Sequence, residues 1–133
     1  MSDKKLIEEV RQAAKDIWKL EPFEMYYKGV LSNIKLIKKT AKKVWGKKCV
    51  FGELKVLKSN MYPTFEWLLT IYGEFGIKLE YEASMLCIRV FKDGEYVYFG
   101  RLTEKNILSK LEFITPKILL HDFKILDEVL KQM

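Results

Sequence analysis

The dipeptide Asp93-Gly94 constrains the fold of this chain more than any other short feature of its sequence. An Asp-Gly pair between two apolar runs is a strong signal for a β-hairpin with a two-residue turn. Such a turn fixes the register of the two strands, which are expected over residues 85–92 and 95–101. The pairs expected to face each other are Phe91 with Tyr96, Val90 with Val97, Arg89 with Tyr98, and Ile88 with Phe99.

A third strand is predicted just before this hairpin. From Ile77 to Ser84, apolar and polar residues alternate, which is the period of a half-buried strand. The three strands together predict a three-stranded antiparallel β-meander. A chain of 133 residues that is 49% hydrophobic is long enough to bury a sizeable core in a single domain, 1–133.

Two helices are predicted ahead of the meander. Apolar residues recur at the three-four spacing of one helical face over 3–20 and again over 23–45. Pro22 ends the first of these helices and favours their packing as an antiparallel helical hairpin. Residues 49–58 are ambiguous, because they fit a short strand followed by a short helix.

Three more helices complete the predicted fold. A middle helix is expected at 63–75, with proline in its first turn. Another is expected from Thr103 to about Phe113, and the last starts at Thr115-Pro116, with threonine as cap and proline at the first helical position. The expected fold class is α+β, with an N-terminal helical hairpin, a middle helix, a three-stranded antiparallel β-meander and two C-terminal helices.

The second predicted helix also carries an unusual concentration of charge. The chain has a net charge of +6, but the segment from Met25 to Gly52 holds eight lysines and no Asp or Glu, so the rest of the chain is slightly acidic. A concentrated basic stripe is the usual electrostatic sign of a polyanion site. The eight residues are Lys28, Lys35, Lys38, Lys39, Lys42, Lys43, Lys47 and Lys48.

A helical wheel places the lysines of the 23–45 helix on one flank, beside its buried apolar stripe. Lys47 and Lys48 extend the charge just past the end of the helix. We therefore expect a small non-enzymatic protein that binds the phosphate backbone of DNA or RNA without reading its bases. A solvated lysine face, balanced by acids elsewhere in the fold, is the competing interpretation.

Residues 51–101 resemble a winged helix-turn-helix domain. The resemblance rests on the order of a short helix, a turn, the helix at 63–75, and then Gly76-Ile77 and a strand hairpin. It implies that the second helix enters the major groove of DNA and that the hairpin forms the wing. The helix at 63–75 departs from this pattern, because it has two glutamates and no Lys or Arg. Any polyanion contact would then depend on the 23–45 helix.

One face of the predicted hairpin is a second candidate site. Its aromatic residues and arginine are the components of a stacking platform for single-stranded nucleic acid. The alternative is that helices cover this face and make it part of the core. The residues are Arg89, Phe91, Tyr96 and Tyr98.

Enzymatic and metal sites have little support in the sequence. Glu53-Leu54-Lys55 fits half of a metal-dependent nuclease motif but lacks a nearby partner carboxylate, so a small nuclease remains only an alternative. His121 is the only histidine, so a zinc site with the usual Cys/His spacing is unavailable, and no cofactor is expected. Cys49 and Cys87 are isolated and are expected to be buried thiols, with a disulfide between them as the alternative.

The expected compartment and partners follow from the apolar residues. No apolar run approaches the length that spans a bilayer and the N-terminus lacks a signal-peptide core, so we expect a cytoplasmic protein without membrane contact. The helices at 63–75 and after Thr115 are apolar over more than one side. Exposed apolar faces mark association sites, so the rival function is an adaptor or accessory subunit that forms a homodimer or binds a protein partner.

Overall fold

The computed structural model describes residues 23–57, 64–82, 85–109 and 114–133. The predicted helix at 3–20, and with it the helical hairpin, lies outside these residues. The elements are α1 (Phe23–Trp45), a 3-10 turn (Gly46–Lys48), β1 (Cys49–Leu57), β2 (Thr64–Ile71), β3 (Phe75–Glu82), β4 (Met85–Lys92), β5 (Glu95–Tyr98), a second 3-10 turn (Phe99–Leu102) and α2 (Pro116–Lys131).

The strands form one five-stranded antiparallel sheet in the order β1-β2-β3-β4-β5. The predicted hairpin is confirmed, with Phe91 opposite Tyr96 and a turn in which Asp93 and Gly94 both have positive φ. This is the backbone conformation that makes Asp-Gly a preferred two-residue turn. The expected pair of Ile88 with Phe99 does not form in the ladder, because β5 ends at Tyr98.

The expected three-stranded meander and the middle helix at 63–75 are wrong. Residues 64–71 form β2, in which Phe65, Trp67, Leu69 and Ile71 are buried at every second position. Leu68 lies on the exposed side of the strand. It interrupts the alternation of apolar and polar residues, so the sequence has the pattern of an apolar helix face. Burial of aromatic and β-branched residues against neighbouring strands decides such a segment in favour of a strand.

Residues 49–57 also form a strand, β1, without the short helix that the sequence allowed. The register of β1 against β2 shifts between Phe51 and Leu54, which marks a bulge at Gly52 and Glu53. A bulge interrupts the period of two that identifies a strand, so the sequence pattern was ambiguous here. With β1 and β2 in place of two helices, the winged helix-turn-helix arrangement of 51–101 is absent.

The two described helices are both anchored by apolar stripes. In α1 the buried residues are Ile34, Ile37, Ala41 and Trp45, and in α2 they include Leu119, Phe123, Leu126 and Leu130. Helix α1 has the predicted bounds of 23–45. The start of α2 is also confirmed, because the Thr115 side chain accepts a hydrogen bond from the Ile118 amide and Pro116 occupies the first turn.

The predicted helix from Thr103 is wrong over 103–109, where the chain is irregular. A buried carboxylate on α2 explains this conformation: Asp122 accepts hydrogen bonds from the amides of Leu108 (3.0 Å) and Ser109 (2.7 Å). Tertiary hydrogen bonds to backbone amides compete with those of a local helix.

The sheet has two different faces. The inner face packs against α1 and α2 and forms one core with them, which includes Trp67, Leu79 and Ile88. On the opposite, outer face, Val50 is 61% exposed and Phe91 48% exposed. The lysine flank of α1 lies beside the edge strand β1, and this placement creates the candidate site.

Candidate polyanion-binding groove

A groove of about 800 Å³ lies between the lysine flank of α1 and the first residues of β1. We call it the lysine groove. One wall is the helix flank, and the floor is the start of the strand. The lining residues are Lys35, Lys38, Lys39, Lys42, Gly46, Lys47, Cys49 and Phe51.

The helix wall follows directly from the spacing of residues in α1. Positions 35, 38, 39 and 42 are three or four residues apart, so their side chains share one flank of the helix. Ile37 and Ala41 are fully buried and set the rotation of α1 about its axis. That rotation places the lysines at the edge of the core, beside β1. The helix wall of the groove is therefore cationic.

The end of α1 turns sharply into the floor of the groove. Gly46 has φ +58, a conformation that glycine adopts without steric strain, and the chain then passes through Lys47 and Lys48 into β1. The carbonyl of Lys48 accepts a hydrogen bond of 2.8 Å from the amide of Tyr72, in the turn between β2 and β3. This bond ties the connection between helix and strand to the sheet.

The carboxylate of Asp127 on α2 also holds the end of α1. Its Oδ1 accepts hydrogen bonds from the indole N–H of Trp45 (2.9 Å) and the hydroxyl of Tyr72 (2.6 Å), and its Oδ2 lies 3.0 Å from Nζ of Lys131. Burial by itself would raise the pKa of Asp127. The bonds from Tyr72, Lys131 and Trp45 outweigh that effect and lower the pKa. The helix wall is thus fixed at its C-terminal end.

The floor of the groove is apolar. The ring of Phe51 packs on the ring of Trp67, with centroids 4.5 Å apart and a tilt of 39°. The indole N–H of Trp67 in turn donates a hydrogen bond of 3.1 Å to the carbonyl of Gly52. Burial raises the pKa of the Cys49 thiol to about 11, so this residue stays neutral at physiological pH. The floor therefore adds no negative charge to the groove.

Among the residues that the structure describes, the carboxylates lie outside the groove. Within the part of the chain that the structure describes, no Asp or Glu lines it. Four ion pairs between described residues involve cations outside the groove. They are Lys78 with Glu66, Arg89 with Glu80, Lys105 with Glu128, and Lys131 with Asp127. Several carboxylates outside the groove are thus partly neutralised by cations that do not line it.

Five of the eight predicted lysines line the groove, and Lys43 and Lys48 do not. Lys43 lines a second cavity of about 390 Å³, which α1 forms with the start of α2 and which also includes Lys39 and Lys117. The ammonium of Lys48 lies 5.6 Å from the centroid of the Tyr72 ring. The side chain of Lys28 lies outside the described residues.

The four residues of the predicted stacking platform lie on the outer face, outside the lysine groove, and they differ in exposure and in partners. The exposed Phe91 and the half-buried Tyr96 form an edge-to-face pair with centroids 5.2 Å apart. Nε of Arg89 forms an ion pair with the carboxylate of Glu80. The Tyr98 ring packs against Gly100, where an added Cβ would overlap it, and its hydroxyl is buried without a partner among the described residues.

Sequence reasoning missed the floor of the groove. Cys49 and Phe51 belong to the segment that stayed ambiguous between strand and helix. Lys117 was also missed, because its approach to α1 depends on the packing of the two helices. A strand assignment for β1 would have placed Cys49 and Phe51 on one face, next to the end of the lysine helix.

Other chemistry has little structural support in the described residues. They contain no group of three or more His, Cys, Asp and Glu side chains that could hold a metal ion. His121 is exposed, with Nε2 3.0 Å from the Asn106 carbonyl, and both cysteines are free thiols. Neither of the two described helices is long and apolar enough to cross a membrane.

Comparison with models of protein families, with curated proteins and with solved structures gave no significant match for the chain.

Proposed function

We propose that this protein is a non-enzymatic nucleic-acid-binding protein of the cytoplasm, and that it contacts the phosphate backbone through the lysine groove. The observation that carries the proposal is a single groove lined by five lysines and, among the described residues, by no carboxylate. Phosphate is the commonest polyanionic ligand of such a surface, and DNA or RNA would supply it in a repeated array.

The energetics of the helix wall support this function. Like charges three or four residues apart destabilise a helix by roughly 0.2–0.5 kcal/mol per pair. Bound phosphates would remove this repulsion and release condensed counterions. If all five lysines contact phosphates, the logarithm of affinity should fall against the logarithm of salt concentration with a slope of roughly −4 to −5 for duplex DNA. For single strands the expected slope is roughly −3 to −4.

Charge reversal at the groove tests the proposal. We expect the triple variant K35E/K39E/K42E to bind labelled DNA and RNA about 10²- to 10³-fold more weakly at about 50 mM salt, because three counterion-releasing contacts are lost. Fluorescence anisotropy at two salt concentrations measures both the affinity and the slope. The slope should fall to roughly −1 to −2 as only two contacts remain.

The control variant K55E/K92E/K124E changes the net charge by the same amount. Its three lysines are exposed and lie outside the groove. This variant should retain most of the affinity for DNA and RNA. The part of the salt slope that comes from the groove lysines should be unchanged. Equal losses in the two triple variants would show that net charge, and not the groove, drives binding. If the unmodified protein does not bind DNA or RNA at about 50 mM salt, the proposal is wrong.

The second candidate is an adaptor or accessory subunit, and one observation favours it. The apolar stripe of α2 is buried in the core, so it offers no association surface. The outer face of the sheet instead exposes Val50, Leu68 (38%) and Phe91. Exposed apolar side chains on one face are typical of a surface for a homodimer or another protein. Light scattering that gives a monomer mass at all concentrations would argue against self-association.

A further inference from the structure

We propose that the lysine groove binds a single-stranded nucleic acid, with phosphates on the lysines of α1 and a base against the ring of Phe51. This inference rests on the proposed function and adds the class of ligand. The groove provides two kinds of contact side by side: a cationic wall from the helix and an apolar floor from the strand. A single strand offers the two matching groups, a phosphate backbone and unstacked bases.

Duplex DNA matches the combination of a cationic wall and an apolar floor less well. Its bases are stacked inside the helix, and its convex surface presents mainly phosphates and the edges of base pairs. Phosphates drawn to the lysines would leave the Phe51 ring without a partner or would place charge against it. An aromatic ring beside a cationic wall is the combination found where proteins bind single strands without reading sequence.

The ring of Phe51 is held in place before any ligand binds. One side packs on Trp67, which is 1% exposed and is itself held by its hydrogen bond to the Gly52 carbonyl. Phe51 is half-buried and lines the groove, so part of its surface is available to a base. Because the ring is already ordered, little side-chain entropy is lost on binding.

The position of β1 gives a single strand access to this floor. β1 is an edge of the five-stranded sheet, and no other described strand flanks its outer side. At the beginning of β1, Cys49 is a neutral thiol and does not repel phosphate. The bulge at Gly52 and Glu53 interrupts the ladder just after Phe51, and the ladder resumes at Leu54. Bulges often redirect side chains next to binding sites.

The test compares four labelled ligands of equal length by fluorescence anisotropy: single-stranded DNA, single-stranded RNA, duplex DNA and an abasic DNA strand. The abasic strand keeps the phosphates and removes the bases. We expect both single strands to bind more tightly than the duplex or the abasic strand. Phe51→Leu keeps an apolar side chain but removes the ring, and it should weaken single-strand binding by roughly 5- to 150-fold, which is the range for one stacked base.

The salt slope separates stacking from charge. Phe51→Leu should leave the slope unchanged, because no phosphate contact is lost, and it should leave binding of the abasic strand unchanged. Phe91→Leu is the matched control, since it removes an exposed aromatic ring from the outer face. This control should bind every ligand as the unmodified protein does. Circular dichroism and thermal melting establish that both variants are folded.

The outcomes distinguish this inference from the proposed function. Equal affinity for single strands, duplex and abasic strand, with no effect of Phe51→Leu, would overturn the single-strand inference. If the K35E/K39E/K42E variant still lost binding, the proposed function would stand. Absence of binding to all four ligands would overturn both. An equal effect of Phe51→Leu and Phe91→Leu would show that bases do not stack in the groove.

Discussion

Removing the carboxylate of Asp127 should loosen the end of α1 that forms the helix wall of the lysine groove. This side chain receives hydrogen bonds from Trp45 on α1 and Tyr72 in the turn between β2 and β3. It therefore connects three separate parts of the chain through one charged group. In the Asp127→Ala variant both donors lose their acceptor, and the buried Trp45 N–H is left without a partner.

The magnitude follows from the kind of bond that is lost. Removing a charged acceptor costs roughly 1.5–3 kcal/mol per hydrogen bond, but the two bonds share one oxygen and are not additive. We expect Asp127→Ala to lower the free energy of unfolding by about 2–4 kcal/mol. For a domain of this size that corresponds to a fall in Tm of roughly 6–20 °C. Asp127→Asn keeps an acceptor oxygen and should cost about 1–2 kcal/mol.

The pH dependence provides an independent check. The pKa of Asp127 is lowered in the folded state, so the unfolded chain binds the proton more readily. The stability due to the carboxylate is complete above the unfolded pKa, near 3.8, and is lost as the pH falls through the folded pKa. The difference in stability between the unmodified protein and Asp127→Asn should therefore be constant at neutral pH and shrink below about pH 4.

Thermal and urea unfolding from neutral pH to pH 2 measure these differences. Glu128→Ala is the matched control, because this neighbouring carboxylate forms an exposed ion pair with Lys105. Exposed ion pairs contribute about 0–1 kcal/mol, so the control should be nearly as stable as the unmodified protein. If the Asp127→Ala variant is no less stable than the Glu128→Ala variant, Asp127 does not hold the end of α1 as we propose. The same conclusion would follow if the difference in stability between the unmodified protein and the Asp127→Asn variant did not change with pH.

Two further predictions concern β1. In a Cys87→Ser background, Cys49 should react with iodoacetamide at about pH 8 roughly 100-fold more slowly in the folded than in the unfolded protein, because a pKa of about 11 leaves little thiolate. Mass spectrometry measures the two rates. Equal rates would contradict the burial of this thiol. Gly52→Ala should cost about 1–3 kcal/mol in urea unfolding, since its Cβ would lie 2.9 Å from the Leu68 carbonyl oxygen. Gly76→Ala, whose Cβ meets only ordinary contacts, is the control, and equal costs would refute the clash.

Where local signals were strong, the sequence predicted structure correctly. Helix α1 was predicted with its observed bounds, because an apolar stripe and a glycine just past its end are both local features. The Asp93-Gly94 turn and the Thr115 cap of α2 were correct for the same reason. Four of the lysines that share one flank of α1 also line one groove, together with Lys47 just past the end of the helix.

The errors arose where contacts distant in sequence outweighed local pattern. In β2, Leu68 on the outer face concealed the alternation of a strand, and partners on both sides hold the segment in the sheet. Residues 103–109 stay irregular because Asp122 binds two of their amides. Local propensity is a weak prior, and tertiary packing routinely overrides it.

The sequence by itself determined that one flank of α1 is cationic, because residue spacing along a helix fixes which side chains share a face. Only the tertiary structure decided what lies opposite that flank. The five-stranded sheet places β1 at its edge, and the Gly46 turn and Asp127 hold α1 beside it. Phe51 and Cys49 thereby become the floor of a groove whose wall is lysine. Such a juxtaposition depends on packing between separate elements, which a one-dimensional pattern does not encode.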